Sequence, residues 1–258
     1  LSSGQIDEFA FWNRELTLTE INTQFGNLPN RIPPPASTYQ GVVSGQSPVY
    51  YFKLDGSLDN AVGGGTPVLG VNGTGSGFSF DYFGNPTNSR FFNLGPDALV
   101  VRNNLLNGGG SYNGALGTGQ GSISFIFRSL SGTNNSGQGF LFSAGGATGV
   151  TNGFGVLLEN YTSGNASDFG SLKIRLGNSS KPILWPTNIA LSDWYYLALT
   201  YDETKTSQQI SWWLGQPGGT LSSGVFDYVA GVLAGQGNIF VIGNHTNFNA
   251  RWASPGNG

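Results

Sequence analysis

The sequence contains no cysteine, which excludes disulfide bonds, cysteine-ligated zinc and thiol catalysis. Methionine is absent as well, and from this we expect a processed chain or an excerpt of a longer one. Charged residues make up only 10% of the 258 positions, and the net charge is −3 with no basic cluster, so nucleic acid is not an expected partner. No apolar run approaches the ~20 residues that a spanning helix needs, so no membrane insertion is expected.

Residues that commonly carry catalysis are scarce too. His245 is the only histidine, and no nucleophile motif surrounds it. Asp7 and Glu8 form an adjacent acidic pair, but neighbouring residues of a strand point to opposite faces. We therefore do not expect the two carboxylates to act together on a glycosidic bond, and we predict that the protein is not an enzyme.

Glycine and aromatic residues are abundant instead. The chain has 42 glycines, and its 13% aromatic content argues against disorder. Short segments of alternating apolar residues are separated by Gly, Asn and Ser turns, a pattern that indicates a sandwich or barrel. The strands are predicted at 47–55, 77–81, 89–94, 98–101, 121–129, 139–143, 154–159, 171–176, 194–201, 208–214 and 238–242.

The segment 5–21 (QIDEFAFWNRELTLTEI) combines a strand with a short helix. From Ile6 to Trp12 a period of two places Asp7, Phe9 and Phe11 on one face and the other four residues on the opposite face, and the bulky aromatics are typical of a strand. Thr17 stands at an N-cap position, and Glu20 completes a capping box. Elements this short cannot bury their apolar groups alone, so the segment must dock on a larger body. We predict that the docking residues of this assembly strand are Ile6, Phe9, Phe11, Trp12 and Leu16.

Residues 26–47 are interpreted as a linker. They contain Pro29 and the run Pro33-Pro34-Pro35, which favour an extended polyproline II spacer. At about 3.1 Å per residue such a spacer would reach roughly 60 Å or more.

Several segments resemble parts of laminin-G-like domains, which belong to the concanavalin A-like lectin and glucanase superfamily. Residues 192–202 (SDWYYLALTYD) resemble the most recognisable inner strand of that family, and residues 122–128 (SISFIFR) resemble its strand that ends in arginine. Residues 54–60 (LDGSLDN) resemble the loop after its first strand, and 238–244 its penultimate strand. The resemblance implies an all-β fold, a two-sheet antiparallel jelly-roll sandwich with one short helix near the N-terminus.

Residues 6–16 (IDEFAFWNREL) resemble the closing strand of the same family, although here they begin the chain. The resemblance therefore divides the sequence into a closing strand and helix at 1–25, the linker at 26–47, and a jelly roll at 48–258 that lacks its last strand. Three arrangements stay open. The strand finishes a preceding tandem repeat, it is donated to a neighbouring subunit in a head-to-tail filament, or it folds back on its own domain.

The resemblance also implies a structural calcium ion, because family members often carry one near the first-strand loop and the Ile-Asp-Glu strand. Asp59, Asp7 and Asn60, with the backbone carbonyls of residues 63–65, would supply the oxygen ligands that Ca²⁺ prefers. The alternative is that both aspartates hydrogen-bond to backbone groups where turns and strands end.

Three aromatic residues are predicted to be able to stack on a ligand: Trp213, Trp252 and Tyr82. Trp212 and Trp213 are adjacent, so one of them should point into the core. We predict a non-enzymatic structural or adhesive repeat or filament subunit, extracellular or on a cell surface, whose partner is another copy of itself. The alternative is a lectin-like module that binds a glycan or a surface protein.

Overall fold

The computed structural model describes residues 4–28, 36–62, 70–72, 77–80, 82–83, 89–92, 98–102, 120–129, 138–145, 153–159, 171–176, 179–182, 193–202, 204–227 and 239–243. Within these ranges it contains the helices α1 (Leu18–Gly26) and α2 (Ala36–Gly45). The strands are β1 (Gly4–Trp12), β2 (Tyr50–Phe52), β3 (Gly70–Asn72), β4 (Gly77–Ser79), β5 (Ser89–Phe92), β6 (Ala98–Arg102), β7 (Gln120–Ser129), β8 (Gln138–Gly145), β9 (Gly153–Glu159), β10 (Ser171–Leu176), β11 (Ser179–Pro182), β12 (Trp194–Asp202), β13 (Ile210–Gly215), β14 (Ser222–Phe226) and β15 (Ile239–Ile242). Neither of these helices is long and apolar enough to cross a bilayer.

The strands form two antiparallel sheets, so the predicted all-β jelly-roll sandwich is confirmed. The first sheet has the order β14-β13-β12-β7-β1-β5-β4, and β2 pairs with β1 beside β5. The second has the order β11-β10-β9-β8-β15-β6-β3. Each strand predicted from alternation overlaps an observed strand, because alternation reports the one-sided burial that a sandwich imposes.

The core lies between the inner faces of the two sheets. Phe9 of β1 stacks on Phe125 of β7 with ring centroids 5.3 Å apart, and it meets Phe142 of the second sheet at 5.9 Å. Trp212 is also part of this core, as expected for one member of the tryptophan pair. Aromatic side chains from both sheets therefore pack against β1 in the core.

A second apolar layer covers the other side of the first sheet, which we call the outer face. Helix α1 packs there through Phe25, whose ring centroid is 5.7 Å from that of Tyr196. Helix α2 packs there through Tyr39, 6.2 Å from Phe83. The buried members of this layer are Ala10, Trp12, Leu16, Ile21, Leu28, Tyr39, Val43, Tyr51, Phe83, Ile126, Tyr196 and Ala198.

The region interpreted as a linker contains helix α2 and is not a spacer throughout. Tyr39 and Val43 lie one turn apart on α2, and both are fully buried against the outer face. That burial outweighs the low helix propensity of Gly41 within the helix. Two helices are therefore described where one was predicted, while the proline run at 33–35 lies outside the described residues.

Strand β1 completes the sandwich of its own chain. One of its edges pairs with β7 along its length, and the other pairs with β5 at Gly4–Ile6 and with β2 at Phe9–Phe11. All nine of its residues are buried. Strand β15 lies in the opposite sheet, between β8 and β6. The chain thus adopts the fold-back arrangement, and exchange of β1 between copies stays a prediction.

Candidate functional site

A bulge in β1 reverses the alternation that the sequence suggests. Asp7 pairs with Ile126 and Ala10 pairs with Ser124, so two residues of β1 oppose one residue of β7. Glu8 takes a left-handed conformation at this point, with a φ angle of 55°. The expectation that Asp7 and Glu8 point to opposite faces was therefore wrong, because a bulge shifts the side-chain period by one residue.

Both carboxyl groups lie on the outer face. Asp7 Oδ2 accepts a hydrogen bond from the backbone N–H of Tyr82 at 3.3 Å. Glu8 Oε1 accepts from Gln40 Nε2 of α2 at 2.8 Å, and Glu8 Oε2 accepts from the Tyr51 hydroxyl. Only 1% of Asp7 and 2% of Glu8 is exposed. The acidic pair is therefore enclosed by the layer on the outer face and is closed to a substrate.

Burial dominates the titration of Glu8. It raises the pKa of this carboxyl to about 8, and the negative charge of Asp55 adds to the effect. The hydrogen bonds from Tyr51 and Gln40 and the positive charge of Lys53 lower the pKa in the opposite sense, but they do not cancel the cost of burying the charge. Glu8 is consequently a neutral acid below about pH 8 in the folded chain.

The phenol groups of Tyr39 and Tyr196 surround the same buried layer. Burial raises the pKa of both, and the nearby Ser124 hydroxyl lowers it. Tyr196 donates a hydrogen bond to Gln24 Oε1 of α1 at 2.7 Å. These phenols remain protonated at physiological pH, and the Tyr196 hydroxyl ties α1 to the sheet.

The residues predicted to bind calcium have other bonds in this structure. Asn60 Oδ1 accepts from the backbone N–H of Tyr51 at 2.8 Å and of Val62 at 3.3 Å. Asp59 is exposed, and its Oδ2 accepts from the Ser57 hydroxyl at 2.7 Å. Within the described ranges no three His, Cys, Asp or Glu side chains are grouped as for a metal, and residues 63–65 lie outside them. Calcium stays a prediction.

The two predicted stacking aromatics that the structure describes, Trp213 and Tyr82, lie on the outer face. Trp213 is partly buried against the helix-covered layer, and its register partner is Ala198. Tyr82 packs at the other side of this layer, where its ring meets Trp194 edge to face at 6.1 Å. Trp252 lies outside the described residues. Trp213 and Tyr82 therefore share one layer but do not form one site.

Among the described residues, partly exposed and exposed aromatic side chains occur near Tyr82. Trp194 is partly exposed, and the guanidinium carbon of Arg128 lies 4.8 Å above its ring centroid. Phe80 is 58% exposed, and its carbonyl accepts from Gln5 Nε2 at 3.4 Å. Gln5 in turn accepts from Arg128 Nε. We call Phe80, Tyr82, Trp194 and Arg128 the aromatic patch.

Trp194, Arg128 and Phe80 were not among the residues predicted from sequence. Trp194 and Arg128 are register partners on neighbouring strands, which brings together residues 66 positions apart. The available signal was Arg128 itself, the only charged residue in the strand segment 122–128. Pairing between β7 and β12 had to be known before its contact with Trp194 could be inferred.

No protein-family model matches the chain, and no curated protein matches its sequence. Among solved structures, peanut lectin with a 9mer peptide (PVIWSSATG) matches with a TM-score of 0.31 and 14% identity, over 48% of this chain and 72% of that one. Lectin UEA-II complexed with galactose matches with a TM-score of 0.35 and 12% identity, over 72% of this chain and 83% of that one. The fold assignment therefore rests on the strand order and register described above.

Proposed function

We propose that this protein is a non-enzymatic, lectin-like module that binds carbohydrate through the aromatic patch. The observation that carries the proposal is the pair of partly exposed rings, Tyr82 and Trp194, packed edge to face at 6.1 Å. Contiguous exposed apolar surface with a polar rim is typical of an interaction site. Aromatic side chains with a few convergent polar groups are also typical of small-molecule sites.

The patch is held by regular structure, which favours binding. Trp194 is the first residue of β12 and pairs with Arg128 near the end of β7. Gln5 belongs to the buried strand β1 and contacts both Arg128 and Phe80. Side chains fixed in this way lose little conformational entropy when a ligand binds. The inaccessible Asp7 and Glu8 pair supports a binding role over a hydrolytic one.

The proposal is tested on a glycan array and by intrinsic tryptophan fluorescence. Trp194→Ala is expected to abolish the binding that the unmodified chain shows. Trp213→Ala is the matched control, because it removes a tryptophan from the same face beside Ala198, which lies about 13 Å further along β12. A folded protein that binds no glycan would contradict the proposal, as would equal losses in both variants.

Two further parts of the proposal concern calcium and location. We place the module outside the cell or on a cell surface, where glycans are presented. Running the array with Ca²⁺ and with a chelator tests the predicted ion at Asp59, Asp7 and Asn60. Loss of binding or of thermal stability in the chelator would support the ion, and identical results in both buffers would contradict it.

Self-assembly through β1 is a second candidate function. The ladder of β1 involves β7, β5 and β2, so the same pairings would form if β1 entered a neighbouring copy. Such an exchange is head-to-tail and gives an adhesive filament or a chain of repeats. Light scattering distinguishes the two states. A chain that keeps its own β1 has a mass of 27.2 kDa, whereas chains that exchange β1 form oligomers whose masses are multiples of that value.

A further inference from the structure

Arg128 is a partly buried cation without an anionic partner in the described part of the chain. Its Nε donates to Gln5 Oε1, an uncharged acceptor, and none of the described ion pairs involves its guanidinium. Asp81, between Phe80 and Tyr82, lies outside the described residues, and two described acids near the patch have other bonds. Asp193 accepts from Gln216 Nε2 at 2.9 Å, and Asp7 accepts from the Tyr82 N–H.

The surroundings make this isolation costly. Burial lowers the pKa of Arg128, and no carboxylate of the described residues is among the causes that act on it. A buried charge is normally paired, because removing it from water is unfavourable. The chain has more acidic than basic residues, so the lack of a partner does not follow from its composition.

Gln5 holds the guanidinium in place. It is fully buried, and its Nε2 donates to the Ser89 hydroxyl at 3.1 Å and to the Phe80 carbonyl at 3.4 Å. The Trp194 ring supports the flat side of the group at 4.8 Å. Nε is bonded and one side of the guanidinium is stacked, while the two terminal nitrogens bond to none of the described residues. Such a fork matches the geometry of a carboxylate.

We propose that the aromatic patch binds an acidic saccharide, whose carboxylate pairs with the terminal nitrogens of Arg128 while a sugar ring contacts the neighbouring aromatic side chains. This inference rests on the proposed carbohydrate-binding function and specifies its ligand class. Aromatic surface supplies affinity for any sugar, and Arg128 selects those that carry a uronic or similar acid group.

The experiment compares oligogalacturonate with its carboxyl-reduced, neutral counterpart by titration calorimetry. The unmodified chain is expected to prefer the acidic ligand. Arg128→Gln is expected to weaken that binding about tenfold to hundredfold, the effect of losing a charged hydrogen bond, and to leave the neutral ligand unchanged. Arg128→Lys should recover only part of the loss, because lysine lacks the fork. Lys205→Gln removes a remote, exposed cation and serves as the control.

The outcomes distinguish failure of the acidic-ligand proposal from failure of the proposed carbohydrate binding. Equal affinity for both saccharides, or no effect of Arg128→Gln, overturns the acidic ligand and leaves carbohydrate binding intact. Tighter binding of a sulfated oligosaccharide overturns the carboxylate assignment. Binding of neither saccharide, nor of any glycan on the array, overturns both. If Arg128→Gln does not fold, the salt dependence of the unmodified chain decides, since only the acidic ligand should lose affinity as ionic strength rises.

Discussion

The Tyr51 hydroxyl donates a hydrogen bond to the Glu8 carboxyl and thereby joins β2 to the bulge of β1. Gln40 of α2 reaches the other oxygen of the same carboxyl. A single buried acid therefore connects the N-terminal strand, the first strand after the helices, and the helix that covers both. Its protonation state should control how firmly this cover is held.

Glu8→Gln should remove a pH-dependent loss of stability. The folded chain keeps the Glu8 proton up to about pH 8, whereas the unfolded chain releases it near 4.5. The contribution of Glu8 to stability is therefore full below pH 4.5, falls as pH rises, and is smallest above pH 8. The shift corresponds to at most about 5 kcal/mol. Urea unfolding at pH 4.5 and pH 8.5 measures it, and the amide variant should unfold at nearly the same urea concentration at both.

The matched control for this change is Glu15→Gln, which alters an acid that pairs with Lys205 at the surface. It should keep the pH dependence of the unmodified chain. Glu20 changes stability in the opposite sense at lower pH. Arg14 and Thr17 hold its pKa near 2, so its contribution to the stability of the folded chain is lost as the medium becomes more acidic. A Glu8→Gln variant whose stability still falls between pH 4.5 and 8.5 would show that another group dominates.

Phe9→Ala should destabilise the sandwich by about 3–5 kcal/mol, because it leaves a cavity between the two sheets. Phe9 is fully buried and contacts both Phe125 and Phe142. Chemical denaturation followed by far-UV circular dichroism measures the change. Val225→Ala is the control, since Val225 is 48% exposed and should change stability by no more than about 0.5 kcal/mol. Similar losses in both variants would mean that β1 does not hold the core together.

Thr17→Ala should cost about 1 kcal/mol by removing the N-cap of α1. The Thr17 hydroxyl accepts from the Glu20 N–H at 3.2 Å, and Glu20 Oε2 accepts from the Thr17 N–H at 2.8 Å. Thermal unfolding monitored by circular dichroism gives the value. Thr19→Ala changes an exposed threonine inside the same helix and should be neutral or slightly stabilising. Equal thermal stability of the two variants would show that the N-cap does not stabilise the chain.

Gln208→Gly should stabilise the chain by about 0.5–1 kcal/mol. Gln208 has a φ angle of 53°, and this left-handed conformation is unfavourable by about 1–2 kcal/mol for a residue with a side chain. Glycine avoids this strain, and the strain is larger than the free energy of the extra conformational entropy that glycine loses on folding. Its backbone N–H bond to Asp227 at 2.6 Å would be retained. Differential scanning calorimetry measures the shift. Ser207→Gly, at an exposed neighbour with an ordinary φ angle, should instead be destabilising. A loss of stability in Gln208→Gly would show that this backbone strain is negligible.

The strand and the cap at the N-terminus were predictable because both depend on local sequence. Thr17 and Glu20 form the capping box that their spacing indicates. Leu18, Ile21 and Phe25 have the i, i+3, i+7 spacing of one apolar stripe, yet Leu18 is 57% exposed. Ile21 is buried, so the helix sits on the sheet closer to its C-terminal half. Spacing defines a stripe, but the docking angle decides which of its members is covered.

The candidate site was less predictable, because it is made by pairings between distant segments. Trp194 meets Arg128 through the β7–β12 ladder, and Gln5 reaches them from the start of the chain. Tyr82 was predicted to be able to stack on a ligand, but its neighbours in the patch were not identified. Local alternation gives the face on which a side chain lies, and carries no information on which strand stands beside it.

The sequence by itself determined an all-β chain, the position of most of its strands, and the capped helix α1, because alternation and capping are properties of adjacent residues. The tertiary structure alone decided that β1 lies between β7 and the β5–β2 edge of its own chain. It also decided that Glu8 forms a bulge and that α2 covers it. These features arise because β1 is buried in the centre of a sheet. A carboxyl group buried there needs hydrogen-bond partners, and the apolar outer face of the sheet needs another element packed against it.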